Sequence, residues 1–269
     1  MKKSINFLVA LLICSFLFTS CKTEFEKIRT SNDPARILEE ATKLYKQGDY
    51  LKAQSLYDII IPFYRGKKEA DDIFFNYAQT HYELGDYILA SHYYNSYSNT
   101  FGNSPRREES SYMAAYSNYL LSPSFRLDQT YTEKAIAELQ QFVNNYPMSD
   151  KVKNSNKMIE ELRAKLETKA FEQGKLYYRI REYQSAITTF KTVLLDYPDT
   201  ENYQEIYFYI VKSAYLLAAN SIYEKKKERF EETLKYYNQF KKRYPKSKYL
   251  KELRSDIENA NKQIKTLSV

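Results

Sequence analysis

Helix breakers, tryptophan and metal-binding side chains are all scarce: 269 residues hold no Trp, 5 Gly, 7 Pro, 2 Cys and 2 His. So few breakers over that length exclude an architecture of short strands and turns and predict an all-α chain. The two histidines, His81 and His92, have no partner at a metal-ligand spacing, and neither a Gly-rich phosphate loop nor a G-x-S-x-G elbow occurs. No catalytic residues, metal or cofactor are expected. His81 falls where a Tyr or Leu packs against a hairpin turn, which reads as a core position. The one long apolar run, Ile5 to Phe18, is shorter than the roughly 20 residues a spanning helix needs. What is abundant is aromatic and charged surface, with 28 Tyr, 15 Phe and a formal net charge of +7.

That apolar run follows Met1-Lys2-Lys3 and precedes Thr19-Ser20-Cys21, the order of a secretory signal peptide over residues 1–20. Small residues directly before a cysteine resemble a bacterial lipobox, although Phe18 stands where Leu is usual. Cys21 is therefore the expected lipidation site and outer-membrane anchor. Several acyl chains, each methylene adding about 0.8 kcal/mol, hold a protein on a bilayer. Cys14 leaves with the signal, so no intramolecular disulfide forms. Residues 21–33 lack an apolar period and read as a flexible tether. Behind a secretory signal the late basic bias, Lys225 to Lys227, Lys241 to Arg243, Lys246, Lys248 and Lys251, points to an acidic protein surface or lipid headgroups and not to nucleic acid.

A repeat organises the rest. Gly48-Asp49-Tyr50-Leu51-Lys52-Ala53 returns as Gly85-Asp86-Tyr87-Ile88-Leu89-Ala90, and Arg181-Glu182-Tyr183-Gln184-Ser185-Ala186 keeps the Tyr and Ala. Tyr146-Pro147, Tyr197-Pro198 and Tyr244-Pro245 each place the Pro twelve residues after Ala135, Ala186 or Thr233. A fixed interval ended by a residue that cannot continue a helix predicts second helices of constant length. The pattern resembles the tetratricopeptide repeat, a pair of antiparallel helices crossing at a small residue. Five hairpins are expected at 34–66, 70–104, 106–148, 151–199 and 202–246, with a closing helix at 247–266, as a solenoid. The first three form an amino-terminal half (34–148), the last two and the closing helix a carboxy-terminal half (149–269). Spacing irregularities predict a loop near 122–130, one long helix over 151–179 and a second loop near 219–229. Asp49 and Asp86 are placed to cap helix starts.

The inner helix of each hairpin lines the face where repeat proteins usually hold partners. Equivalent turns put Leu38, Tyr45, Phe75, Gln79 and Tyr82 there, followed by Tyr112, Tyr116 and Tyr119, and in the fourth hairpin Phe171, Lys175, Tyr178 and Arg179. A Tyr-lined groove suits an extended peptide, whose side chains stack on the rings and whose backbone meets phenol groups, while Lys175 and Arg179 suit a carboxylate.

Lipobox, tether, irregular hairpins, Tyr-Pro endings and especially Leu195-Asp196-Tyr197-Pro198-Asp199-Thr200 together resemble the outer-membrane assembly lipoprotein BamD (YfiO-like) family, from about Ile37 to Leu217. The resemblance implies a non-enzymatic subunit of the β-barrel assembly machine on the periplasmic side of the outer membrane. It implies unfolded outer-membrane β-barrel proteins as substrates of the amino-terminal hairpins. It also implies that the carboxy-terminal half docks on the POTRA domains of a BamA-like barrel protein, among other machine subunits. A generic tetratricopeptide lipoprotein scaffolding the cell envelope is the alternative.

Overall fold

The computed structural model describes residues 23–268, so the signal segment 1–20 and Cys21 lie outside the described residues. The described chain forms twelve helices and no strand: α1 (Glu24–Arg29), α2 (Pro34–Lys46), α3 (Tyr50–Tyr64), α4 (Ala70–Glu83), α5 (Tyr87–Thr100), α6 (Arg107–Leu121), α7 (Thr130–Asn145), α8 (Val152–Arg179), α9 (Tyr183–Asp196), α10 (Tyr203–Ala219), α11 (Tyr223–Arg243) and α12 (Tyr249–Thr266). Besides α1, these are the ten hairpin helices and the closing helix expected from sequence, an all-α tetratricopeptide fold. By compactness the described residues group into two units, those up to 121 with 144–147 and 122–143 with those from 148 on. The boundary thus falls within the third hairpin, whereas the halves proposed from sequence divide after it.

The small residue at each crossing works as its spacing implies. Ala53, Ala90, Ala135 and Ala186 are fully buried, and so are the large side chains four and seven positions on: Tyr57 and Ile60, Tyr94 and Tyr97, Leu139 and Phe142, Phe190 and Val193. These lie one helical turn apart on a single face, so each second helix sinks its aromatic ridge beside its own small residue. In the first unit the ridge of α3 joins Ile37, Ala41 and Leu44 of α2 and Ile73 and Tyr77 of α4 in one cluster. In the second, Phe190 and Val193 join Ile206 and Ile210 of α10, Phe240 of α11 and Leu253 of α12.

Three hairpin turns share one backbone pattern. Gly48 N–H donates to the Tyr45 carbonyl and Asp49 N–H to that of Leu44; Gly85 and Asp86 repeat this toward Tyr82 and His81, and Arg181 and Glu182 toward Tyr178 and Tyr177. This is the closure of a helix by a left-handed residue. Gly48 and Gly85 have φ of +79° and +76°, and Arg181, where the repeat has lost its glycine, is held at +66°. Asp49 and Asp86 then cap the next helix by accepting from the N–H groups of Lys52 and Leu89, each at 3.4 Å.

The structure corrects two local expectations. Part of the tether is helix α1: Thr23 caps it, Ile28 is buried in the first-unit core, and Phe25 packs beside it. Phe25 and Ile28, three apart, form a small apolar face that a search for longer periods passes over. The loop expected near 219–229 is only 220–222; the surplus residues extend α10 and α11 to 17 and 21 residues. Lys225 to Arg229 are strong helix formers with no Gly or Pro among them, so the insertion continues the helix. The loop at 122–129 and the long helix α8, 28 residues, stand where expected. Gln129 shapes that loop by donating to the Ser124 and Leu127 carbonyls, and Lys165 and Lys169 of α8 pin it at the Ser122 hydroxyl (2.6 Å) and the Leu127 carbonyl (2.7 Å).

Two stability measurements follow. Arg181→Gly relieves a left-handed residue that L side chains adopt at a cost of about 1–2 kcal/mol, against roughly 0.4–1 kcal/mol for the looser unfolded chain, so the unfolding free energy from urea titration should rise by roughly 0.5–1 kcal/mol; a fall would show the turn unstrained. Gly174→Ala should do the opposite of what a mid-helix alanine ordinarily does. A Cβ there would lie 2.6 Å from Cε1 of the fully buried Phe190, which is itself stacked on Tyr209 at 5.4 Å. Overpacking of about 1–3 kcal/mol outweighs the gain of about 1 kcal/mol in helix propensity, and a lowered midpoint is the expected result.

Candidate functional site

The residues singled out from sequence fall into one set in each compact unit. In the first unit, Tyr112, Tyr116 and Tyr119 form a ladder along α6, since positions three and four apart share a helix face. Their rings are nearly parallel, 5.8 Å apart between Tyr112 and Tyr116 and 5.9 Å between Tyr116 and Tyr119. Tyr82 of α4 closes on the ladder at 6.3 Å from Tyr116, and all four are half-buried. Burial chiefly, then the neighbouring Tyr116 and Tyr87 hydroxyls, raises the Tyr82 phenol above its ordinary range. Tyr45 is pushed up to about 12, by burial first and then by Tyr50 and Tyr57. Both hydroxyls therefore stay protonated and able to donate across the physiological range.

Tyr45 also lines a groove of about 400 Å³ with Leu38, Lys46, Asp72, Asn76 and Arg106. Arg106 pairs with Asp72 at 2.8 Å and lies 5.1 Å above the Phe75 ring. Phe75 itself is 7% exposed and edge-on to Tyr94 and Tyr97, so it is the floor beneath Arg106 and not a partner-facing ring. Gln79 accepts from the Tyr94 hydroxyl and donates to Glu83 at 2.7 Å, which engages both ends of its amide. Arg106 was missed because it precedes its helix, and hairpin alignment does not assign such a position to a face.

Tyr45, Tyr82 and Tyr178 turn out to be equivalent. Each supplies the carbonyl that closes its turn and each ring meets the Tyr five residues on, Tyr50 at 5.8 Å, Tyr87 at 5.6 Å and Tyr183 at 6.1 Å. These rings lock hairpins as well as lining a surface.

In the second unit, Lys175 and Arg179 serve different surroundings. Lys175 is held by Glu172 at 2.9 Å and lies 5.1 Å above the Phe171 ring; the hydrogen bond to Glu172 raises its pKa. Tyr178 sits edge-on to Tyr209 at 5.2 Å. Arg179 is exposed and lines a groove of about 570 Å³ with Phe125, Arg126, Lys169, Gln173 and Leu176. Phe125 and Arg126 come from the 122–129 loop, whose path no periodicity reports.

His81 is a core residue, 1% exposed, with its ring against Tyr77 (4.7 Å) and Tyr93 (4.9 Å) and hydrogen-bonded to Gln54 at 3.0 Å. Burial lowers its pKa, while the nearby Asp86 and Asp58 act in the opposite direction. A folded pKa below the unfolded value means that the unfolded chain binds the proton first. His81 thus contributes stability above about pH 6.5 that is lost as pH falls through the folded pKa. The urea midpoint should drop between about pH 7.5 and about pH 5.5 in the parent and drop less in His81→Gln; equal slopes would remove His81 from the account.

Among the described residues no helix is long and apolar enough to cross a membrane, and no group of three His, Cys, Asp or Glu is placed to hold a metal ion. A comparison with curated protein sequences gives no match. Solved structures similar to the chain include the MamA protein, 15% identical with a TM-score of 0.32, covering 79% of this chain and 92% of that one. A thermophilic TPR protein of Thermus thermophilus is 17% identical with a TM-score of 0.31, covering 84% and 98%. Scores this low carry no argument about function. The tetratricopeptide repeat profile matches residues 213–247, on α10 and α11. The YfiO profile, described as outer membrane lipoprotein, matches residues 30–229 and so takes in nine of the hairpin helices whole and the start of the tenth; the chain belongs to the YfiO family of outer membrane lipoproteins.

Proposed function

We propose that the chain is a non-enzymatic subunit of the outer-membrane β-barrel assembly machine, anchored through acylated Cys21 on the periplasmic side. In this reading the first unit receives unfolded outer-membrane proteins. The observation that carries it is the Tyr82–Tyr116 junction with Tyr112 and Tyr119 stacked on either side. Four half-buried rings in one ladder present flat apolar faces to side chains of an extended strand, and Tyr82 offers a protonated hydroxyl to its backbone. Tyr45 and Arg106 continue the polar edge at the neighbouring groove. Lys175 and Tyr178 belong to the second unit, which in this reading docks on the POTRA domains of a BamA-like barrel protein, with Arg179 available to a carboxylate. Family membership supports association with outer-membrane assembly, and the tetratricopeptide scaffold supports binding without catalysis.

The test is binding of a synthetic peptide carrying the last strand of a β-barrel protein to the mature chain. Tyr82→Ala with Tyr116→Ala should weaken it at least roughly tenfold, since an aromatic contact is worth about 0.5–1.5 kcal/mol beyond the buried area. Helical content, followed by circular dichroism, should hold. Unchanged affinity in the double variant would sink the reading. Mild detergent extraction of the native membrane should bring down a barrel protein bearing POTRA domains, and its absence would favour a general envelope scaffold.

A further inference from the structure

The basic residues near the carboxy terminus are not one patch. Residues 223–269 hold fourteen Lys and Arg against seven Asp and Glu, an excess that accounts for the entire formal charge of +7. Helix α11, 21 residues and hence about 30 Å long, separates them into two ends. At its start, Lys225, Lys226, Lys227 and Arg229 alternate with Glu224, Glu228, Glu231 and Glu232. At its finish the carboxylates stop: no Asp or Glu occurs from Thr233 to Lys251, and the turn into α12 presents Lys241, Lys242, Arg243, Lys246, Lys248 and Lys251, all exposed.

None of these six forms an ion pair among the described residues. Two of them lie over aromatic rings instead. The Arg243 guanidinium lies 3.8 Å from the Tyr203 ring centre and donates to the Tyr203 hydroxyl, and Lys248 lies 5.0 Å above Tyr249. Three cations in the last turn of α11 are more than one helix terminus requires, because the carbonyl end of a helix carries only about half a charge. Pooled, unpaired cations repel one another, and the arrangement is stabilised when an anionic surface is brought against it.

We propose that this corner of the second unit, the turn between α11 and α12, binds the anionic headgroups of membrane phospholipids. The inference goes beyond the reading above and rests on family membership alone, which already brings the chain to a membrane. Lysines on long stems, projecting from a turn and set beside tyrosines, match a plane of phosphates: the ammonium groups reach individual phosphates and the phenols suit the headgroup depth. The mixed-charge start of α11 offers no such match. An acidic protein surface is the competing occupant and is an outcome of the test.

The experiment is cosedimentation of the full mature chain, with Cys21→Ser so that no acyl chain contributes, against vesicles of phosphatidylcholine alone or mixed equally with phosphatidylglycerol. Binding should favour the anionic vesicles and fall with added salt. Replacing Lys241, Lys242, Lys246 and Lys248 together by Gln should lower the partition on the order of a thousandfold, since each basic residue at such a surface is worth about 1 kcal/mol. Replacing the same four by Arg should leave it in place. A control removing the same charge elsewhere, Lys225, Lys226, Lys227 and Lys262 to Gln, should change it little. The proposal is overturned by equal binding to both vesicles, or by a control loss as large as that of the corner. It is also overturned if the corner variant keeps its vesicle binding and loses an acidic partner of the native complex. None of these outcomes depends on the Tyr82 and Tyr116 measurement, so the two readings fail separately.

Discussion

Everything in this fold depends on how closely paired helices approach, and that distance is set by the small residue at the crossing. With Ala53, Ala90, Ala135 or Ala186 there, the bulky side chains four and seven positions on are fully enclosed. Phenylalanine and tyrosine bury roughly 150–250 Å² apiece, which is why a chain with few Leu-rich stretches still assembles a core. Gly174 carries the same constraint furthest: the Phe190 ring occupies the space where its Cβ would stand. Where α8 and α9 meet, the fit is of ring against bare backbone, and the rest of the second-unit cluster is built outward from Phe190.

That reliance on aromatics explains why tyrosine does two things at once. A Tyr at the end of an inner helix closes its turn through its carbonyl and meets the Tyr five residues on, so its ring is half-buried by its own hairpin. The other half remains accessible. Tyr116 differs, because α6 ends in a loop instead of a tight turn, and its ring contacts are with Tyr112, Tyr119 and Tyr82. Tyrosine rings therefore gather into a ladder where the repeat is irregular and the turn makes no claim on them.

What the sequence disclosed follows the same division. Features fixed by local spacing were legible: the hairpins, the long helix α8, the Asp49 and Asp86 caps and the burial of His81. The helix α1 was not, since its apolar signal is two residues, Phe25 and Ile28, too few for a period. The 220–222 connection was overestimated because surplus residues inside a charged helix look like an insertion until something shows that the helix absorbs them. Positions defined by loops escaped altogether. Arg106 stands before α6 and Phe125 and Arg126 stand in the 122–129 segment, which is ordered by the Gln129 side chain from within and by Lys165 and Lys169 of α8, distant in sequence. Lys175 and Arg179, adjacent by helical period, proved to have different neighbours, because Glu172 and Phe171 hold one side chain down and leave the other on the groove.

The third copy of the turn shows what the repeat conserves physically within this one chain. Glycine is lost at Arg181 and the capping Asp is replaced by Glu182, which makes no side-chain cap, yet both backbone hydrogen bonds and the Tyr178–Tyr183 contact persist. The left-handed residue is thus imposed by the packing of α8 against α9 and merely eased by glycine elsewhere. A turn held from outside tolerates the wrong residue, and one held by its own sequence does not. In the Arg181 turn the signature has thinned while the ring of Phe190 stays fully buried, so the loss of a glycine and a cap there is not a loss of packing.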